Sequence, residues 1–133
     1  MIMNNKGFSL VELMVVLAIV GILGAISYPS YDSYMKKSRR ADGKIALQKM
    51  ADLQERFYLQ NNTYTTVAAN VGGTATDENY YVLSIDAADV NTFTLRATAA
   101  AGGPQVNDTT TNHGNCTVLQ LTAAGARTPA ACW

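Results

Sequence analysis

Few side chains in this 133-residue chain could do chemistry: an acid, Glu12, set inside an apolar run; two cysteines, Cys116 and Cys132; and one histidine, His113. From Phe8 to Ser27 Glu12 is the only charged residue. A carboxylate in the middle of a hydrocarbon layer costs roughly 2.5–3.5 kcal/mol, and less near its edge, so an acid held there needs a partner. The cysteines are too far apart for a CxxC redox pair, and no further ligands accompany them to make a zinc site. His113 stands beside Gly114 with no nucleophile or metal-ligand spacing around it and reads as a loop residue. Asn61, Asn107 and Asn115 open N-x-T triplets short enough to arise by chance, and no glycine-rich phosphate loop is present. These residues supply no catalytic constellation, so the expectation is a protein that is not an enzyme and uses no metal or cofactor.

The elements that must position Glu12 follow from the apolar run itself. Leu13 to Ile26 is fourteen residues without a polar side chain, and Phe8 to Ser27 is twenty with one charge. At 1.5 Å per residue a helix of that length rises about 30 Å, the thickness of a bilayer's hydrocarbon layer. The whole chain is 48% hydrophobic and 15% charged, with 10 basic and 10 acidic residues. That is one domain's worth of material, too apolar for a disordered tail and without a global charge to draw it to nucleic acid or anionic lipid. A buried core helix fits poorly, because a chain this small cannot wrap a helix on every side. A secretory signal is the stronger rival: Lys6 gives a positive start and Ala25-Ile26-Ser27 a small-x-small cleavage site, leaving a soluble periplasmic product that begins near Tyr28.

The residues ahead of the run favour retention of the helix. Lys6-Gly7-Phe8-Ser9-Leu10-Val11-Glu12 presents a basic leader ending in glycine, then phenylalanine, then a glutamate at the fifth position counted from Phe8, then an unbroken apolar helix. This order resembles the type IV pilin family. The resemblance implies that a membrane-embedded prepilin peptidase cuts between Gly7 and Phe8, where glycine lets the backbone lie close to a protease, and that the new amino group of Phe8 is N-methylated. It also implies that Glu12 pairs with the amino terminus of a neighbouring subunit, so that a slipped subunit leaves a charge buried and alone. Pro29 stands where pilins resembling this one carry a proline; with Gly21 and Gly24 it predicts a kink or local melting near residues 21–29.

Beyond Pro29 a segment rich in Lys, Ala, Leu and Gln continues the helical pattern to about Gln60. Ala46, Met50, Leu53 and Phe57 recur at helical spacing, widened by Leu47 and Tyr58, so one face packs on something. Charge divides by region: residues 31–60 carry seven basic and four acidic side chains, net +3, and residues 61–133 carry two basic and five acidic, net −3. The cluster Lys36-Lys37-Ser38-Arg39-Arg40 conflicts with the positive-inside rule, since a pilin keeps its leader in the cytoplasm and its head outside. The expected resolution follows the motif. The cluster then lies at periplasmic headgroups before assembly and among neighbouring helices afterward, either as a solvated or lipid-facing basic face or as a subunit contact.

After Gln60 short β-prone runs alternate with Asn, Gly, Thr and Asp. Residues 61–79 read as a long connection through Gly72-Gly73, and 80–85, 92–99 and 116–122 as strands, with Phe93, Leu95, Ala97 and Ala99 alternating on one and Thr117, Leu119 and Leu121 on another. The expected fold is α+β: a long N-terminal helix whose amphipathic half covers a small antiparallel sheet. Its regions are a leader (1–7), a membrane or fibre-core half (8–30), an amphipathic half (31–60) and the head (61–133). The segment from Glu55 to Asn61 and the tail from Cys116 to Trp133 resemble minor pilins with a disulfide loop at the C-terminus. Export and an even count favour a Cys116–Cys132 disulfide, about 3 kcal/mol in the chain-entropy model, over two free buried cysteines.

The resulting expectation is a structural subunit of a type IV pilus, a minor pilin, with the partners that role implies: other pilin subunits, prepilin peptidase, an inner-membrane assembly platform, and the membrane itself before assembly. Pilus-dependent adhesion, twitching motility or DNA uptake are the functions the resemblance implies. Nucleic acid is an allowed partner that the head's −3 disfavours. The competing readings are a pilin-like DNA-uptake receptor, a type II secretion pseudopilin, and the soluble periplasmic protein.

Overall fold

The computed structural model describes residues 7–110 and 114–133. It divides into two compact units, Met1–Met35 and Lys36–Trp133. His113 and Lys6 fall outside the described residues.

Helix α1 spans Leu10–Asn61, and its part up to Met35 makes up the described portion of the first unit with residues 7–9. Leu13 N donates to the Ser9 carbonyl as the first turn closes. The local melting expected at residues 21–29 does not occur, and the chain is helical throughout that segment, Pro29 included. Proline takes one N–H out of the ladder, and the bonds on either side suffice to hold the turn. Ser27 Oγ adds a bond to the Leu23 carbonyl at 2.8 Å.

In the second unit α1 buries Arg40, Gly43, Leu47, Met50 and Gln54. Their spacing of alternately three and four residues traces one helical face. Ala46, Leu53 and Phe57 from the expected stripe are partly buried and flank this line. The chain then passes through a 3-10 helix, Ala68–Val71, into strands β1 (Tyr81–Ala88) and β2 (Phe93–Ala99), the short pair β3 (Thr109–Thr110) and β4 (Gly114–Asn115), then β5 (Val118–Thr122) and β6 (Arg127–Thr128). A second 3-10 helix, Ala130–Cys132, follows. The main sheet is antiparallel in the order β1-β2-β5-β6, and β3 pairs with β4 apart from it. Strands β3, β4 and β6 are two residues each, too short for a period-2 signal to declare them.

Alternate residues of the strands form the core. Tyr81 and Leu83, then Phe93, Leu95 and Ala97, then Leu119 and Leu121 meet Leu47 and Met50 of α1. Gly43 lets the helix come close: a Cβ at that position would lie 3.0 Å from Tyr81 Cδ2 and 3.2 Å from Leu119 Cδ1. Gly43→Ala therefore sets an overpacking cost of about 1–3 kcal/mol against a helix-propensity gain of about 1 kcal/mol. The expected net result is a loss near 1 kcal/mol, read as a thermal midpoint lower by roughly 4–8 °C. A variant more stable than the parent would show that the Tyr81 ring yields.

Candidate functional site

Glu12 lies in the first turn of α1, where the helix dipole favours an acid. Gly7 and Phe8 lie just ahead of the helix, and Phe8 is 82% exposed. Among the described residues Glu12 has no hydrogen-bond or ion-pair partner. Every large apolar side chain from Leu10 to Ile26 is exposed, and the helix here is long and apolar enough to cross a membrane. The first unit thus holds an uncovered apolar cylinder with one carboxylate near its start.

The second unit contains a buried polar clasp that the sequence did not announce. Arg40, 5% exposed, donates from Nε to Asp108 Oδ2 at 2.6 Å and from Nη2 to Oδ1 at 2.7 Å, a bidentate pair between residues 68 positions apart. Asp108 is 0% exposed. Gln105 Nε2 is shared among Tyr81 Oη (3.0 Å), Asp108 Oδ2 (3.1 Å) and the Lys36 carbonyl (3.2 Å). The bond to Asp108 holds the Arg40 guanidinium above its ordinary pKa against the opposing effect of burial. Burial raises the Tyr81 phenol, with the Gln105 bond opposing. The clasp ties the segment between β2 and β3 to α1. A second buried amide does the same for the helix exit: Gln54 donates to the Thr65 carbonyl at 2.7 Å and accepts from Thr65 N at 3.0 Å.

Arg40 corrects the reading of the basic cluster as a solvated, lipid-facing or intersubunit face. One of its members is spent inside the fold, and Arg39 lies 5.6 Å over the Tyr80 ring. The charge division also changes meaning. Counted over the compact unit 36–133, nine basic residues face eight acidic ones, because the helical cations belong to the same unit as the acidic head. Asp108 is neutralised by Arg40, and Asp86, at the bulge of β1, by Arg96 at 2.6 Å.

Cys116 and Cys132 are joined as a disulfide with Cα atoms 5.6 Å apart, which closes β6 and the last 3-10 helix onto the core. Near it the Arg127 guanidinium lies 5.2 Å over the Trp133 ring, and Lys44 Nζ donates to the Trp133 carbonyl at 3.3 Å. Burial lowers the Lys44 pKa first, followed by the cations Arg40, Lys37 and Arg127. No group of acids, histidines and cysteines able to hold a metal occurs among the described residues.

Gly7, Phe8 and Glu12 thus fall together at one end of α1, Pro29 lies within it, and Cys116 and Cys132 meet in the second unit. Arg40, Gln105, Asp108 and Gln54 were missed. For Arg40 and Gln54 a signal existed, since both continue the spacing of Leu47 and Met50, where a polar residue on a core line demands a partner. Gln105 and Asp108 stand in an irregular segment with no period to mark them.

Comparison with known proteins agrees with this architecture. Residues 2–28 match the model of the prokaryotic N-terminal methylation motif. The Neisseria meningitidis non-core minor pilin PilV is similar in structure, with 25% identity and a TM-score of 0.52 over 71% of this chain and 86% of that one. A type IV pilin from Shewanella oneidensis is similar at 29% identity and a TM-score of 0.51, over 74% and 97% of the respective chains. No curated protein matches the chain significantly. Residues 29–120 match the family model described as type IV minor pilin ComP, DNA uptake sequence receptor. The chain belongs to this family of minor pilins, and with its exposed N-terminal helix and small antiparallel sheet it is a structural subunit of a type IV pilus that associates with other pilins.

Proposed function

We propose that the chain is made as a single-pass inner-membrane precursor with a periplasmic head, is cut between Gly7 and Phe8 by prepilin peptidase and N-methylated at Phe8, and passes through the assembly platform into the pilus. Glu12 then pairs with the amino terminus of a neighbouring subunit, and Pro29 lies within the packed helices. The observation that carries this reading is the apolar half of α1, long enough to span a bilayer and 0% buried in the chain. The core closes without it, so its surface is left for lipid and then for other subunits. N-terminal sequencing and mass of the mature chain test the reading. Methylated Phe8 is the expected start; a chain beginning at Tyr28 overturns it in favour of a cleaved signal.

A second reading, a DNA-uptake receptor, is supported by the family description and by the charge of the compact unit, whose helical cations offset the acidic head. Arg127 over the Trp133 ring and Lys44 beside it place two cations together, the groups that contact backbone phosphate. Expected under this reading is duplex DNA binding that weakens steeply with salt and loses about one counterion of salt slope per removed lysine or arginine. Salt-independent binding, or none, leaves pilus assembly and its adhesive or motile roles as the function.

A further inference from the structure

We propose that Tyr28, Tyr31 and Tyr34 form an interfacial belt that sets the depth of the precursor in the membrane, their rings seated in the headgroup and glycerol layer of a phospholipid bilayer. This rests on the reading of residues 8–27 as a membrane span. The three side chains are 78%, 65% and 70% exposed. At three-residue intervals on α1, each falls about 60° short of a full turn from the last, so together they occupy an arc of roughly 120°.

Their place along the helix points to the lipid interface. The twenty residues from Phe8 to Ser27 rise about 30 Å and fill the hydrocarbon layer, and Tyr28 is the next residue. From Tyr28 to Tyr34 the helix rises a further 9 Å or so, comparable to the headgroup layer of one leaflet. Asp32 and Ser33 stand between the second and third tyrosines and exclude this stretch from hydrocarbon, and the exposed Lys37 follows. At the apolar end Ser27 Oγ is already engaged with the Leu23 carbonyl, so its hydroxyl enters lipid satisfied. A phenol has an apolar body and a polar tip and is most stable where one side is hydrocarbon and the other water. The order apolar, tyrosine, lysine supplies these environments in sequence. Three rings spaced over the headgroup layer resist both sinking and rising, which the smooth apolar cylinder cannot do alone.

Cysteine scanning of the full chain in vesicles of phosphatidylethanolamine and phosphatidylglycerol tests the belt. Both native cysteines are tied in the disulfide, so a thiol introduced singly at Ile22, Ile26, Ser30, Ser33 or Lys37 reports its own exposure to a membrane-impermeant maleimide. Labelling is expected to rise about tenfold between Ile26 and Ser33, since the rings place that boundary within the headgroup layer. In a chain carrying Tyr28→Ala, Tyr31→Ala and Tyr34→Ala the rise is expected to move by about one helical turn or to spread over all five positions, and tryptophan at the three sites is expected to restore it. A boundary outside residues 28–34 with the tyrosines present overturns the proposal. So does a boundary unmoved by the triple alanine change, which would assign the tyrosines to contacts between subunits only. If Ile22 and Ile26 label as readily as Lys37, the membrane reading falls as well; if they stay protected while the boundary is unmoved, only the belt falls.

Discussion

Arg40→Ala is expected to lower the thermal midpoint of the 36–133 unit by roughly 12–40 °C. The pair it breaks is bidentate, at 2.6 and 2.7 Å, and Asp108 is fully enclosed. Removing one partner leaves a carboxylate buried without its counter-charge, which costs about 3–5 kcal/mol, and in a domain of this size each kcal/mol moves the midpoint by about 4–8 °C. Arg40→Lys keeps the charge but not the fork geometry, so its midpoint should fall between the two. Replacing both residues, Arg40→Met with Asp108→Leu, should recover most of the loss, because a buried ion pair contributes little over well-packed apolar groups of similar volume. Differential scanning calorimetry distinguishes these outcomes. If Arg40→Ala melts within about 2 °C of the parent, water reaches Asp108 and the clasp is not a structural tie.

Glu12→Gln is expected to leave that midpoint unchanged and yet to reduce incorporation into pili by about 100-fold or more. Glu12 is exposed and belongs to the first unit, while the core is built from residues of the second. Its loss therefore does nothing to the core, and a neutral residue makes residence in the membrane less costly. In the packed fibre the neighbour's amino group would lose its counter-charge at about 3–5 kcal/mol, where each 1.4 kcal/mol is a factor of ten. Glu12→Asp should retain part of the activity. The ratio of the subunit in sheared pili to that in membranes, by immunoblot, is the measurement, and an unchanged ratio would remove Glu12 from assembly. The two substitutions are expected to separate folding from assembly, Arg40 belonging to the buried clasp of the second unit and Glu12 to the exposed start of the first.

Much of this architecture could be read from local pattern. The apolar run, the alternation of Phe93, Leu95 and Ala97, and the helical recurrence through Met50 and Phe57 each depend on residues a few positions apart, and all appear where expected. Pro29 shows the limit of a local rule, since one missing donor does not melt a helix held by the many bonds around it. The basic cluster shows another. Four cations that looked alike in sequence divide, Arg40 inward to Asp108 and Arg39 across Tyr80, because position on the helix face decides which cation is enclosed.

The sequence by itself determined the exposed apolar helix with its single acid, the strands long enough to alternate, and the pairing available to two cysteines in an exported chain. These follow from periodicity and composition, which are properties of near neighbours. The tertiary structure alone decided that Arg40 meets Asp108 across 68 residues, that Gln54 closes on Thr65, and that the acidic head and basic helix form one nearly neutral unit. Such contacts depend on the register with which the sheet settles on α1. That register is set by close packing at Gly43, Tyr81 and Leu119 together, and no one of them declares it in the linear order of residues.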